Sequence, residues 1–213
     1  ERLAPTPVER LAKAPTTREQ GFLSAVEILW GEGDQVTRRV GYMDAMSRLY
    51  EQYPNDSEVA AFYALSVLSA SVATGDLTQR MNVQAGTIAL KLFGQNRDHP
   101  GAAHYTIHAF DSPVLAPLSL EAAYAFAEIA PAVAHARHMP THIFIQHGMW
   151  DRVSRNNESA YTAARELWRP DEPMGDAVHP LDWGQYGDLQ LGDYAKARLW
   201  IERLESMALE GRF

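Results

Sequence analysis

The feature that most constrains this chain is a recurrence. Helix-start signals fall near residues 17, 56, 100, 140 and 180, so one plan returns about every 40 residues. In the first unit Thr16 or Thr17 can cap a helix with Glu19 in its first turn, and Phe22, Ala25, Val26 and Leu29 share one face. Gly31 and Gly33 end that helix. A partner follows from about Val36 to Tyr53, with Val40, Met43, Met46, Leu49 and Tyr50 at helical spacing, and Pro54 stops it. The second unit repeats this: Asn55 or Asp56 as cap, Val59, Phe62, Tyr63, Leu65 and Val67 on one helix, a turn at Gly75-Asp76, and a partner over 77–93. Later units open at His99-Pro100, Met139-Pro140 and His179-Pro180, because proline at the first helical position has no N–H to leave unpaired. No stretch alternates with period two for long enough to demand a sheet. Helix–turn–helix units of this period predict an all-α fold, an α-solenoid of about five hairpins.

The three prolines of residues 1–15 predict an arm or linker with one helical turn around Val8–Lys13, leaving 16–213 as the repeat domain. The chain opens on Glu1 rather than methionine and reads as part of a longer one. A net charge of −8 argues against nucleic acid or an anionic membrane surface as partner. No apolar run is read as approaching the roughly 20 residues that cross a bilayer. The absence of cysteine removes thiolate catalysis, disulfides and cysteine-ligated metals, and leaves the compartment open.

Against this scaffold one feature stands apart. Seven of the eight histidines lie between His99 and His147, in HPGAAHYTIHAFD and HARHMPTHIFIQH, and the residues before His99 contain none. Each helical residue advances about 100°, so His104, His108 and Asp111 fall on one stripe. His135, His138 and His142 follow at spacings of three and four, across Pro140. Proline biases the preceding residue away from helix, so His138 and Met139 are expected in extended backbone. Successive first helices of a hairpin array line one surface, which brings His104 and His108 opposite His142 with His135 and His138 beside them. These five histidines are the expected ligands of a divalent transition metal, with zinc, copper and iron all suited to nitrogen and oxygen donors. Five or six ligands would suffice for two ions. His99 reads equally as a helix cap or as a support for ligands, and Tyr105, Asp111 and Glu128 are candidates to support ligands or move protons. His147 and His179 read as packing or capping residues, and Trp183 and Tyr186 as core or groove aromatics. Asn156 and Asn157, on a second helix, read as surface or inter-helix groups. H-E-x-x-H, G-x-S-x-G, P-loop and G-x-G-x-x-G motifs are all missing.

Two stretches, HIFIQHGMWDRVSRNNESA (142–160) and DWGQYGDLQLGDYAKARLWIERL (182–204), resemble tetratricopeptide repeats. The histidine segments together resemble a bacterial family of such proteins carrying HPG, H-x-x-x-H and HMP-S/T-HI motifs. The resemblance implies a concave groove for a protein or peptide. It names no activity. The competing reading is a non-enzymatic interaction scaffold whose histidines fix the packing of two repeats. Exposed end hairpins also suggest self-association.

Overall fold

The computed structural model describes residues 3–169, 173 and 175–210. Among them every regular element is a helix, in two compact units, Glu1–Asn96 and Arg97–Phe213.

The first unit holds α1 (Pro7–Leu11), α2 (Thr17–Leu29), α3 (Gln35–Gln52), α4 (Ser57–Thr74) and α5 (Arg80–Gln95). Four of its helices begin where short polar side chains satisfy the first free N–H groups. Thr6 with Glu9 and Thr16 with Glu19 form reciprocal capping boxes, and Asp34 and Asp56 cap α3 and α4. Arg18 of α2 makes a two-point contact with the Asp56 carboxylate, at 2.5 and 2.9 Å, which joins the two hairpins and holds the Asp56 pKa below its ordinary value. Gly75, at φ 65°, ends α4 in the left-handed conformation that a side chain would resist. The expected arm contains one short helix, α1, tied to α2 by the Arg10–Glu27 ion pair.

One expectation needs correction here. By length and composition α4 is long and apolar enough to cross a membrane, with a mean hydropathy of 1.3 over 18 residues. In this fold it packs between α3 and α5, burying Val59, Ala64, Val67 and Ala70. Its apolar character serves a core that it meets on more than one side.

The second unit holds α6 (Pro100–Ala109), a 3-10 turn (Ala116–Ser119), α7 (Leu120–Ile129), α8 (Ala134–His138), α9 (Pro140–Gln146), α10 (Trp150–Leu167), α11 (Gly175–Gln190) and α12 (Tyr194–Leu209). α6 pairs with α7, the short α8 and α9 pair with α10, and α11 pairs with α12, while α10 also packs along α11. In the last hairpin Gly184 makes room for the Trp200 indole: a Cβ there would lie 2.5 Å from the ring. The buried indole Nε1–H donates to Asp188 Oδ2 at 2.6 Å, and Lys196 stands 3.5 Å from the same carboxylate, so the buried charge is partnered.

Two proline readings are overturned. Met139, before Pro140, is helical at φ −50° and ψ −37°, and His138 ends α8 instead of lying in extended backbone. α8 runs almost directly into α9, because proline at the first position of α9 removes only an N–H that needs no helical acceptor. Burial of His138, Met139 and Pro140 then outweighs the local bias of the residue before proline. Pro180 does not open its helix either. α11 starts at Gly175 and carries Pro180 inside it, against the packed side of the unit.

Candidate metal centre

Local helix geometry sets the ring positions. α6 carries His104 and His108 one turn apart, with centroids 4.7 Å from each other. α8 carries His135 and His138, α9 carries His142, and α11 carries His179. The six rings fall into two groups of three. In each group one ring nitrogen per residue lies within 4.8 Å of the others: His104, His108 and His135 in the first, His138, His142 and His179 in the second. The five sequence candidates therefore divide, and His179 joins them. The capping role expected of His179 is not what the structure shows, since its helix begins four residues earlier. Only the packing of α11 against α8 and α10 brings it in.

The second group is oriented from behind. Asn157 Nδ2 donates to Val153 O at 2.8 Å, which turns its Oδ1 toward His138. His138 Nδ1–H then donates to that oxygen at 2.6 Å. This assigns the tautomer, and the lone pair sits on His138 Nε2. That nitrogen is buried and has no hydrogen-bond partner, in a residue only 1 % exposed. His142 follows the same logic. Its Nδ1–H donates to Asp111 Oδ2 at 2.8 Å, while Gln146 holds Oδ1 of the same carboxylate at 3.1 Å, so Nε2 is the donor nitrogen left. A ring N–H on a carboxylate or carbonyl is the usual support of a metal-bound imidazole. Trp183 walls the group, its ring 4.5 Å from His142, 5.2 Å from His138 and 5.6 Å from His179.

The first group braces itself. His104 Nε2 and His135 Nε2 lie 3.1 Å apart, one donating to the other, so both point at one spot. Phe126 stacks on His104 at 5.2 Å, and the Tyr105 ring stacks with it at 5.6 Å. His108 and His135 keep an edge in solvent over this packed floor. Burial lowers the His104 pKa to about 3 and that of His108 to about 4, and neighbouring histidines add to both shifts. His138 falls to about 3, again chiefly by burial. His135 and His179 are lowered for the same first reason. At neutral pH these rings are uncharged and keep their lone pairs, which is the form a metal ion binds.

The remaining candidates take other places. Asp111 does not join the stripe of His104 and His108 as a ligand but supports His142. His99 caps α6, its Nδ1 accepting from the Ala102 N–H at 3.3 Å. His147 donates Nδ1–H to Ile143 O at 2.9 Å, inside its own helix end. Glu128 is exposed on α7 and belongs to neither group. Tyr186 is exposed and meets Trp150 edge-on. Asn156 bonds the Arg137 carbonyl at 3.2 Å. Of the two places read for Asn157 the structure gives the inter-helix one: it is fully buried, bonds His138 of α8 from α10, and sets that ring's tautomer. Its signal in the sequence was a poor helix former in the middle of a helix. A cavity of about 570 Å³ between α11 and α12 touches the second group at His179 alone, and one of about 550 Å³ around Ala134 and Trp168 includes no histidine.

The described elements define an all-α fold of packed helical hairpins. Among solved structures the chain is similar to one titled "MamA MSR-1 C2", with a TM-score of 0.62 and 15% identity over 91% of this chain and 95% of that one. It is also similar to the structure of a single-substitution mutant of MamA, with a TM-score of 0.57 and 15% identity over 95% and 99%. At that identity the likeness is one of fold. No family model and no curated protein matches the chain.

Proposed function

We propose that this protein is a helical-hairpin repeat protein that binds a divalent transition metal through its clustered histidines, with His138, His142 and His179 as the best-built ligand set. The carrying observation is the buried, unpartnered Nε2 of His138. An unsatisfied buried acceptor costs about 1–3 kcal/mol, and a metal ion is the partner that its tautomer and neighbours suit. The Asp111 carboxylate behind His142 supports the same reading. Zinc, copper and iron all accept such nitrogen donors, and three protein ligands leave a position for water or a substrate.

The test is elemental analysis of chain purified without a histidine tag or chelator. Stoichiometric metal, lost in the His138→Ala, His142→Ala double variant, is the expected result. Protein that is metal-free and takes up neither zinc nor copper at micromolar concentration would reduce the cluster to a packing seam.

A second reading, an interaction scaffold, is favoured by the last hairpin. Tyr194, Leu199, Ile201 and Leu204 are exposed there, Ile201 and Leu204 beside the larger cavity. If a second copy docks on this face, Ile201→Glu shifts the sedimentation of concentrated protein toward monomer. Protein that already sediments as a monomer at high concentration excludes that partner.

A further inference from the structure

The metal reading treats the histidines as a ligand supply; the division of the six rings says more. Resting on that reading, we propose that the two histidine groups hold two metal ions as a coupled pair, bridged by one small anion from solution, with hydroxide the simplest.

Proximity is the first argument. α8 gives one ligand to each group, His135 to the first and His138 to the second. These positions are three residues apart, a rise of about 4.5 Å, on one helix face. The groups meet again where His108 faces His142, with ring centroids 6.2 Å apart, while His135 and His138 stand at 6.5 Å. Rings this close leave room for two ions near the separation of roughly 3.5–4 Å at which one oxygen can touch both.

Charge is the second argument. All six ligands are histidines, which bind a metal through an uncharged imidazole, so two divalent ions would bring four positive charges into a partly buried seam. Among the described residues one carboxylate, Asp111, hydrogen-bonds a ligand. Asp176 and Asp182 act on His135 and His179 only at a distance, and both are exposed. Such charge is costly unless neutralised, and these carboxylates fall short of four. A water molecule at the shared open position meets part of the deficit by losing a proton to bulk solvent, and the hydroxide stays between the ions.

The groups also differ in preparation. Asn157 and Asp111 orient the second group in advance, whereas the first must break its own His104–His135 hydrogen bond to take an ion. Loading is therefore sequential, second group first.

The experiment is a titration of chelator-treated protein with Cu(II), followed by metal analysis and electron paramagnetic resonance. The expected result is two equivalents bound. The first gives an ordinary single-ion signal, and the second causes that signal to collapse through magnetic coupling. His108→Gln and His135→Gln, with circular dichroism to verify their folding, should each hold one equivalent with the single-ion signal intact. Saturation at one equivalent in the unaltered protein overturns the pair and leaves the metal reading standing. Two equivalents with additive, uncoupled signals overturn the bridge. No bound copper, repeated with zinc, overturns the pair and the metal reading together.

Discussion

The two histidine groups are built from the same side chain and differ in what stands behind it. In the second, His138 leans on Asn157 and His142 on Asp111, and Trp183 closes one side. In the first, His104 and His135 lean on each other; His108 and His135 are exposed there, as His179 is in the second. The difference teaches that ligand identity and ligand preparation are separate properties. On the metal reading proposed above, six equivalent imidazoles would give one site organised before a metal arrives and one that must reorganise to accept it.

The largest effect should come from removing a ligand of the prepared group. His142→Ala is expected to abolish binding there at micromolar metal, while His108→Ala spares it; equilibrium dialysis of both variants measures the contrast. Equal losses in the two variants would mean that the groups act as one undivided site. Next comes the support. Asp111→Asn and Asn157→Ala should each weaken the second group by about 10–100-fold and leave the first nearly unchanged. Competition with a coloured chelator reads this directly.

Acid should act on both groups in metal-free protein. His104 and His138 titrate near 3 in the folded chain and from the ordinary 6.5 when unfolded, so the unfolded state takes up protons first. Stability is then flat above about pH 6.5 and falls as the pH drops from there toward 3. Denaturant midpoints across that window check the sign; a midpoint that rises on acidification contradicts it. The smallest effect is expected outside both groups. His147→Ala removes one helix-end hydrogen bond, worth about 1 kcal/mol, and should leave metal affinity untouched. A measurable loss of metal would place His147 among the ligands.

Much of the scaffold is legible in the sequence. Thr16, Asp56, Gly75 and Gly192 mark boundaries that the structure repeats, because caps and left-handed turns are decided within a few residues. The departures gather at Met139-Pro140 and His179-Pro180, where local proline rules met a packed environment. Asn157 could be read only as surface or inter-helix, because helical phase tells which residues share a face, not which neighbour that face meets.

The sequence alone determined that this chain is helical, that its helices pair with a period near 40, and that an unusual supply of imidazole is gathered in its second half. Those are properties of spacing and side-chain type, and they act over one helix or one turn. Only the tertiary structure decided that the histidines form two groups, that His179 joins one of them, and that a buried asparagine and an aspartate fix which nitrogen carries the lone pair. Those outcomes depend on contacts between residues 19 to 41 positions apart in the chain, created when the helices from α6 to α11 bury their apolar faces against one another.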